Sequence, residues 1–171
     1  MIKRFLPLML LALLATAPAS FAAPGEPQDI LKGWDIISPD VLGLRISRNI
    51  DERAVTVETK WPTTICVTPV DLRDKRMDLT KVTFSAELKS SDLTGAAFLE
   101  MWLRVPGLAK GYLISRGYDR PLQKTSPAVW SKFETSFTLS KNQVPDQAIL
   151  NLVINGKGTI FMRNVKFTRQ P

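Results

Sequence analysis

Four side chains at alternating positions of one short segment combine the chemistry that binds a sugar. The even positions of residues 96–105 include Phe98, Glu100, Trp102 and Arg104. Side chains of an extended strand alternate between its two faces, so these four would share one face. An aromatic ring stacks on the apolar C–H side of a sugar, whereas carboxylate and guanidinium groups hydrogen-bond its hydroxyls. Because such a set is unusual on a solvated face, we interpret it as a candidate ligand-binding surface.

The other face of this segment is uniformly apolar and is predicted to pack into the core. Its odd positions hold Ala97, Leu99, Met101, Leu103 and Val105. An alternative for the even face is that loops cover it and that Phe98 and Trp102 fill a second small core. Glu100 and Arg104 would then pair at an edge. Two-sheet proteins often bury part of both sheet faces, so the sequence leaves both alternatives open.

The stretch after this segment adds more rings and guanidinium groups. Tyr112 and Tyr118 would extend an aromatic platform. Arg116 and Arg120 would bind carboxylates or sulfates through two parallel hydrogen bonds. A competing interpretation makes 117–121 a turn with a tyrosine capping the core, since glycine and proline suit turn geometry. The candidate ligand-binding set is Phe98, Glu100, Trp102, Arg104, Tyr112, Arg116 and Tyr118.

The chain contains no histidine, which restricts the reactions that it can catalyse. Serine–histidine and cysteine–histidine nucleophile pairs, histidine zinc sites and the commonest general base are all excluded. Hydrolysis of a glycan would instead need two positioned carboxylates, for which Glu58 and Glu100 are the candidates. Since nothing else supports that reaction, we predict a protein that is not an enzyme, with no catalytic residue and no resident cofactor.

Residues 1–22 have the order of a secretory signal peptide. Lys3 and Arg4 precede an apolar run over 5–15, and small residues follow up to Ala23. Signals of this kind are removed on export. The apolar run is shorter than the roughly 20 residues that span a bilayer. We therefore predict an exported protein, periplasmic or extracellular, without a transmembrane segment.

Composition indicates one domain with a basic surface. We predict a flexible lead-in over 23–33, which contains proline and glycine, and a single domain over 34–171. The 171-residue chain has 23 Lys and Arg against 16 Asp and Glu, a formal net charge of +7. This charge admits an anionic glycan or polyol as the ligand. The basic residues are dispersed, however, so we predict no binding to nucleic acid.

Short strand-like segments separated by turn residues recur through the domain, which is typical of an all-β fold. The pattern predicts strands near 41–47, 54–60, 64–70, 81–89, 96–105, 111–116, 131–139, 148–154 and 159–167. The Asn-Gly-Lys-Gly sequence at 155–158 predicts a hairpin turn. Trp61 and Cys66 are predicted to be buried, and Trp130 is predicted to be a packing residue rather than a ligand-binding one.

The order of several segments resembles the galactose-binding-domain-like jelly roll of many carbohydrate-binding modules and exported bacterial proteins. These segments are 81–90, 95–102, the strand that Trp130 leads, and 152–167. The resemblance implies an all-β, antiparallel sandwich of jelly-roll type with about eight to nine strands. In that group an aspartate of the last strand commonly helps to hold a structural calcium. Here the matching positions, 162–165, read Met-Arg-Asn-Val, which speaks against calcium.

Together these features predict a non-catalytic carbohydrate- or polyol-binding module that acts outside the cytoplasm. An alternative of a different class is a protein-interaction or envelope-assembly domain. Such a domain would present its sheet face or an exposed edge to an envelope protein. A small glycan hydrolase or lyase using Glu58 and Glu100 is the third hypothesis.

Overall fold

The secondary structure of the described part of the chain consists of antiparallel strands joined by turns and loops. The computed structural model describes residues 25–37, 42–109, 111–124 and 128–171, so the predicted signal peptide lies outside the described residues. The strands are β1 (Gln28–Asp29), β2 (Leu44–Asn49), β3 (Ala54–Thr59), β4 (Thr63–Asp71), β5 (Lys81–Arg104), β6 (Tyr112–Arg116), β7 (Ser131–Thr138) and β8 (Gln147–Gln170). Within these ranges there is no helix, and hence none that is long and apolar enough to cross a membrane. The predicted all-β, antiparallel class is confirmed.

Two strands of 24 residues each, β5 and β8, connect the whole fold. They pair along their length, from Lys81 opposite Gln170 to Arg104 opposite Gln147, and both pass from one sheet into the other. Sheet I comprises β2, β3, β7, residues 81–91 of β5 and residues 158–170 of β8, with β1 beside 168–169. Sheet II comprises β4, β6, residues 94–104 of β5 and residues 147–157 of β8.

The predicted hairpin turn at 155–158 is wrong, because these residues belong to β8. Gly156 pairs with Gly95 and Lys157 pairs with Thr94, at the corner where both strands leave sheet I for sheet II. A Cβ on Gly156 would lie 1.6 Å from the Thr94 carbonyl oxygen. Glycine here lets two backbones approach closely. The same residues that favour a tight turn therefore permit a bend in a continuous strand.

The hydrophobic core lies between the inner faces of the two sheets. Sheet II contributes the predicted odd positions, Ala97, Leu99, Met101, Leu103 and Val105, all at most 4% exposed. Sheet I contributes fully buried residues that include Val57, Val82, Phe84, Leu88 and Phe167. The alternation of β5 is thus confirmed on its core side. Its even positions in sheet II are left on the outer face, where the candidate site is built.

Two residues predicted to be buried are more exposed than expected. Trp61 is 48% exposed, because the chain leaves β3 at Thr59 and the tryptophan lies in the turn before β4. Its indole N–H donates to the Leu42 carbonyl at 2.9 Å, and its ring covers Gly43. Cys66 is half-buried, and burial raises the pKa of its free thiol.

Residues in the middle of the predicted lead-in form backbone hydrogen bonds with the sandwich. Gln28 and Asp29 form β1 against Arg169 and Thr168 of β8. The Ile30 N–H then donates to the Phe167 carbonyl at 2.9 Å. These bonds continue the ladder on one side of β8, so the segment extends sheet I by one short strand.

Trp130 packs between two cations on the outer face of sheet I. The Arg163 guanidinium lies 4.2 Å from the centroid of its ring, and the Lys89 ammonium lies 4.8 Å away. Lys89 also lies 4.7 Å from the centroid of the Phe161 ring and forms a 3.0 Å salt bridge with Glu52. A cation over an aromatic face is stabilised by the ring quadrupole. This arrangement agrees with the packing role predicted for Trp130.

We expect Trp130→Ala to lower the free energy of unfolding by roughly 2 kcal/mol, because it removes one large ring and two cation–π contacts. Trp130→Phe keeps an aromatic face and should lose less than half as much. Urea denaturation followed by circular dichroism measures both values, with Val129→Ala as a control on an exposed neighbour. An unchanged denaturation midpoint in Trp130→Ala would show that the ring is not structural.

Candidate functional site

The even positions of β5 share the outer face of sheet II with residues of β6 and β8. Glu100 lies opposite Arg116 on one side and Asn151 on the other. Trp102 lies opposite Ile114 in the same way. We call this surface the aromatic face, and it comprises Phe98, Glu100, Trp102, Arg104, Tyr112, Ile114, Arg116 and Tyr118. The structure thus brings all seven candidate residues predicted from the sequence to one side of sheet II, where five are at least partly exposed and Phe98 and Glu100 are buried beneath them.

Two pairs of rings run along the aromatic face. Trp102 and Tyr112 meet edge to face, with centroids 5.7 Å apart. Phe98 and Tyr118 have centroids 4.4 Å apart and planes inclined by 58°. Tyr118 is 54% exposed, whereas Phe98 beneath it is 3% exposed. The ring open to a ligand at this position is therefore that of Tyr118, and Phe98 supports it from below.

Glu100 is buried beneath the aromatic face and holds its neighbours in place. It is 4% exposed and accepts hydrogen bonds from Trp102 Nε1 at 2.6 Å, from Asn151 Nδ2 at 3.4 Å and from Arg116 Nε. The hydrogen bond with Glu100 raises the pKa of the Arg116 guanidinium. Since donors surround both of its oxygens, Glu100 fixes the indole and the guanidinium rather than contacting a ligand directly. Asn151 was missed at the sequence level, although an asparagine inside the apolar run 148–154 is a signal for such a partner.

Arg104 pairs with Asp146. The alternative in which loops cover this face had predicted a pair between Arg104 and Glu100 instead. Its Nε and Nη2 donate to the two oxygens of Asp146 at 2.7 and 3.0 Å. These hydrogen bonds raise the pKa of Arg104 and lower that of Asp146. The Arg104 side chain remains 47% exposed at the end of the aromatic face. Its two-pronged bond to a carboxylate keeps the guanidinium in one orientation.

A loop that interrupts an extension of β6 presents Tyr118. The Gly117 N–H donates to the Leu99 carbonyl at 2.9 Å, and Leu122 exchanges two hydrogen bonds with Ala97 at 2.9 and 2.7 Å. Residues 118–121 bulge out between these points, over Phe98. A Cβ on Gly117 would lie 3.2 Å from the Glu134 carbonyl oxygen, so glycine allows this close approach to β7. The stretch 117–121 is therefore a turn, as one interpretation predicted, and the same turn presents Tyr118 as part of the aromatic platform, as the other predicted.

A cleft of about 710 Å³ opens between β6 and β7, next to Tyr118. Its charged lining consists of Arg116, Asp119, Arg120, Lys132 and Glu134, and the rest of the lining includes four hydroxyl side chains, those of Ser115, Ser131, Thr135 and Ser136. Lys132 pairs with Glu134 at 2.9 Å and lowers the pKa of that carboxyl. Three cationic side chains thus face two carboxylates and several hydroxyl groups. A cleft of this size and composition fits a ligand that is rich in hydroxyl groups.

The two carboxylates considered for a hydrolase lie in different sheets. Glu58 is exposed on β3 and lies opposite Thr159 in sheet I. Glu100 is buried in sheet II, beside Asn151. The corner of β8 separates Thr159 from Asn151, so the two carboxylates do not flank a common bond as glycoside hydrolysis requires. Across the described ranges, no three Cys, Asp or Glu side chains are grouped closely enough to hold a metal ion.

Several solved structures that superpose on this chain are carbohydrate-binding modules. The CBM22-1 xylan-binding domain of Xyn10C from Paenibacillus barcinonensis superposes with a TM-score of 0.52 and 12% identity, over 83% of this chain and 88% of that one. The CBM22-1–GH10 modules of Clostridium thermocellum xylanase Xyn10B, complexed with xylohexaose, give 0.53 and 10%, over 81% of this chain and 26% of that one. The family 16 carbohydrate-binding module-2 gives 0.52 and 10%, over 80% and 90%.

No protein-family model matches the sequence, and the search of curated proteins finds no similar one. At identities of 10–12%, the likeness to these solved structures concerns the fold. The eight antiparallel strands and the single core between two sheets agree with it. The chain therefore has the β-sandwich, jelly-roll fold of carbohydrate-binding modules, as the sequence resemblance predicted.

Proposed function

We propose that this protein is a non-catalytic carbohydrate-binding module that acts outside the cytoplasm and binds glycans on the aromatic face. The observation that carries the proposal is the set of three partly exposed rings of Trp102, Tyr112 and Tyr118. A hydrogen bond to Glu100 fixes Trp102, Tyr112 packs against its edge, and Tyr118 packs on Phe98. Stacking of sugar rings on such side chains needs a fixed ring with one open side. Solved carbohydrate-binding modules with the same fold support this assignment.

Ligand selection would combine the rings with the neighbouring cleft. A sugar stacked on Tyr118 would place its hydroxyls toward Arg116, whose guanidinium lies 5.7 Å from the Tyr118 centroid and lines the cleft. Arg116 uses its Nε for Glu100, and its side chain is 39% exposed. Its outer N–H groups are therefore positioned to donate to a ligand. The predicted signal peptide supports action in the periplasm or outside the cell.

We expect Tyr118→Ala to weaken glycan binding about tenfold, because a stacked ring contributes on the order of 1 kcal/mol or more. Tyr118→Phe keeps the ring and should bind within about twofold of the unmodified protein. Calorimetric titration with xylo-, cello-, manno- and galacto-oligosaccharides measures the affinities. Trp61→Ala is the matched control, since it removes an exposed ring outside the aromatic face. If no glycan binds, or if Tyr118→Ala binds as well as the unmodified protein, this site is wrong.

A protein-interaction domain is the second candidate, and Ile114 favours it. Ile114 is 41% exposed in the middle of β6, where an aliphatic side chain provides no hydrogen bond to a sugar. Exposed apolar groups on a sheet face commonly belong to protein contacts. Affinity capture from an envelope extract, with and without excess oligosaccharide, separates the two functions. Capture that added sugar does not reduce, and that Ile114→Ser abolishes, would favour the protein partner.

A further inference from the structure

A second concavity lies on the outer face of sheet I and adjoins the cleft beside Tyr118, since Lys132 and Glu134 line both. This groove has a volume of about 520 Å³. We call it the lysine groove, and its lining includes Lys81, Thr83, Ser85, Lys166, Thr168 and Gln170. Among the described residues that line it, none is aromatic. Its chemistry therefore differs from that of the aromatic face, since ammonium, hydroxyl and amide groups replace the rings.

The lysine groove carries an excess of positive charge. Its two carboxylates already have cation partners: Glu87 bonds with Arg163 at 2.8 Å, and Glu134 bonds with Lys132 at 2.9 Å. Lys81 and Lys166 are exposed, and in the described part of the chain neither takes part in a salt bridge. Two ammonium groups thus remain to meet a negatively charged ligand. The net charge of the whole chain, +7, has the same sign.

A bulge shapes the floor of the lysine groove. The pairing of β5 with β8 shifts register between Ser85 and Glu87, and opposite this shift Asn164 has a φ of 51°, which is rare for a residue other than glycine. A hydrogen bond from the Asn164 side chain contributes to lowering the pKa of Glu87. Bulges bend a strand locally and are frequent beside functional sites. This one sits within the lining, directly before Lys166 and its neighbours.

The spacing of the two lysines indicates an extended ligand. Lys166 lies opposite Ser85, which is four residues along β5 from Lys81, so the lysines are roughly 13 Å apart along the strands. The Thr83 and Thr168 side chains lie between them, opposite each other in the register. The geometry suits a polymer with regularly spaced anions and with hydroxyls between them. Single-stranded nucleic acid fits poorly, because its binding relies on rings that stack on the bases.

We propose that the lysine groove is a second binding site, specific for the carboxylates of an acidic polysaccharide such as a polyuronate. Lys81 and Lys166 bind two carboxylates, and the threonine hydroxyls bind the sugar hydroxyls between them. The groove shares Lys132 and Glu134 with the cleft beside Tyr118, whereas Lys81 and Lys166 line the groove and not that cleft. One chain would then hold a stacked sugar on one side and an acidic glycan on the other.

The test uses polygalacturonate and the same polymer after reduction of its carboxyl groups. We expect the protein to bind polygalacturonate at an ionic strength of about 0.01 M and to bind it much more weakly at about 0.15 M, where screening is far stronger. The carboxyl-reduced polymer should not compete for the groove. The variant K81A/K166A should lose about tenfold in affinity for polygalacturonate, since two charge contacts are removed. The variant K60A/K141A removes the same charge from exposed lysines outside the groove, and should bind normally.

Tyr118→Ala separates this proposal from the proposed function. Polygalacturonate binding that survives Tyr118→Ala but not K81A/K166A supports a separate groove. An equal loss in both lysine variants overturns the proposal, because net charge alone would then explain binding. Binding of poly(dT) as tight as that of polygalacturonate, or no binding of polygalacturonate, also overturns it. None of these results affects the oligosaccharide titrations on the aromatic face.

Discussion

Replacement of Gly95 or Gly156 by alanine is expected to lower the free energy of unfolding by on the order of 3–4 kcal/mol, among the largest effects that one methyl group produces. The two glycines lie opposite each other at the corner where β5 and β8 change sheets. A Cβ on Gly95 would lie 2.0 Å from the Asn155 carbonyl oxygen, and one on Gly156 would lie 1.6 Å from that of Thr94. Both obstacles are backbone atoms, so no side chain can rotate away to relieve the overlap.

Gly95 carries a second constraint, in its backbone conformation. Its φ is +89°, in the region that residues with a Cβ rarely adopt. Alanine at this position therefore adds backbone strain to the overlap. Separation of the two strands at the corner would relieve both, but it would also break the ladder that joins sheet I to sheet II. The loss is expected to be global rather than local, because β5 and β8 run through the whole core.

Thermal and urea denaturation measure this effect. A loss of 3–4 kcal/mol lowers Tm by roughly 6–16 °C in a domain of this size. Gly33→Ala is the matched control, since nothing lies within 4 Å of a Cβ at that position, and it should change stability by less than about 0.5 kcal/mol. The double variant G95A/G156A should lose less than the sum of the single variants, because one opening of the corner relieves both clashes. Single variants as stable as Gly33→Ala would show that the corner is not tightly packed.

The alternating faces of the strands could be predicted from the sequence, because burial on one side leaves a period of two. The odd positions from Ala97 to Val105 are buried as predicted. Five of the nine predicted strands are found within a few residues of their limits, such as 131–138 against 131–139. The other four merge in pairs, because 81–89 and 96–105 both belong to β5, and 148–154 and 159–167 both belong to β8. The convergence of Arg116 and Tyr118 with Trp102 also follows from the pattern, once β6 is paired with β5.

The connections were harder to predict, since the same residues favour more than one backbone path. Asn155-Gly156 is typical of a hairpin turn, yet in β8 it serves a close approach to β5. If the alternation of β3 continued as far as Trp61, the ring would be buried. The strand ends two residues earlier, however, and the ring is 48% exposed. In the first case the outcome depends on β5, which is distant in sequence, and in the second on where β3 ends; the local pattern contains neither.

The burial of Glu100 could not be predicted from the sequence either, because a carboxylate in the middle of a strand usually faces solvent. It is buried here because three donors reach it from three strands: Trp102 on β5, Arg116 on β6 and Asn151 on β8. A buried charge is tolerated when it is paired and hydrogen-bonded. Glu100, which was predicted to bind a ligand, therefore lies beneath the surface and fixes the Trp102 indole and the Arg116 guanidinium above it.

Glu100→Ala should consequently reduce both stability and glycan binding. We expect the free energy of unfolding to fall by roughly 3 kcal/mol, because removal of the buried carboxylate leaves the Trp102 indole and the Asn151 amide without an acceptor, while Arg116, 39% exposed, can turn to water. Glu100→Gln keeps an oxygen for the Trp102 indole and loses only the charge opposite Arg116. It should therefore lose about half as much. Glu134→Ala is the control, since the Lys132–Glu134 pair is more than half exposed and should contribute at most about 1 kcal/mol.

Two measurements distinguish this buried pair from an ordinary surface charge. In a double-mutant cycle, Glu100→Gln and Arg116→Ala should show a coupling energy above about 1 kcal/mol, whereas the exposed Lys132–Glu134 pair should show little. The coupling should also persist in about 1 M salt, which screens exposed charges far more than buried ones. If Glu100→Gln binds glycan normally while Glu100→Ala does not, the carboxylate acts through the orientation of Trp102 and not through its charge. Full stability in Glu100→Ala would contradict the buried network as a whole, and with it the explanation of why the rings of the aromatic face are held in place.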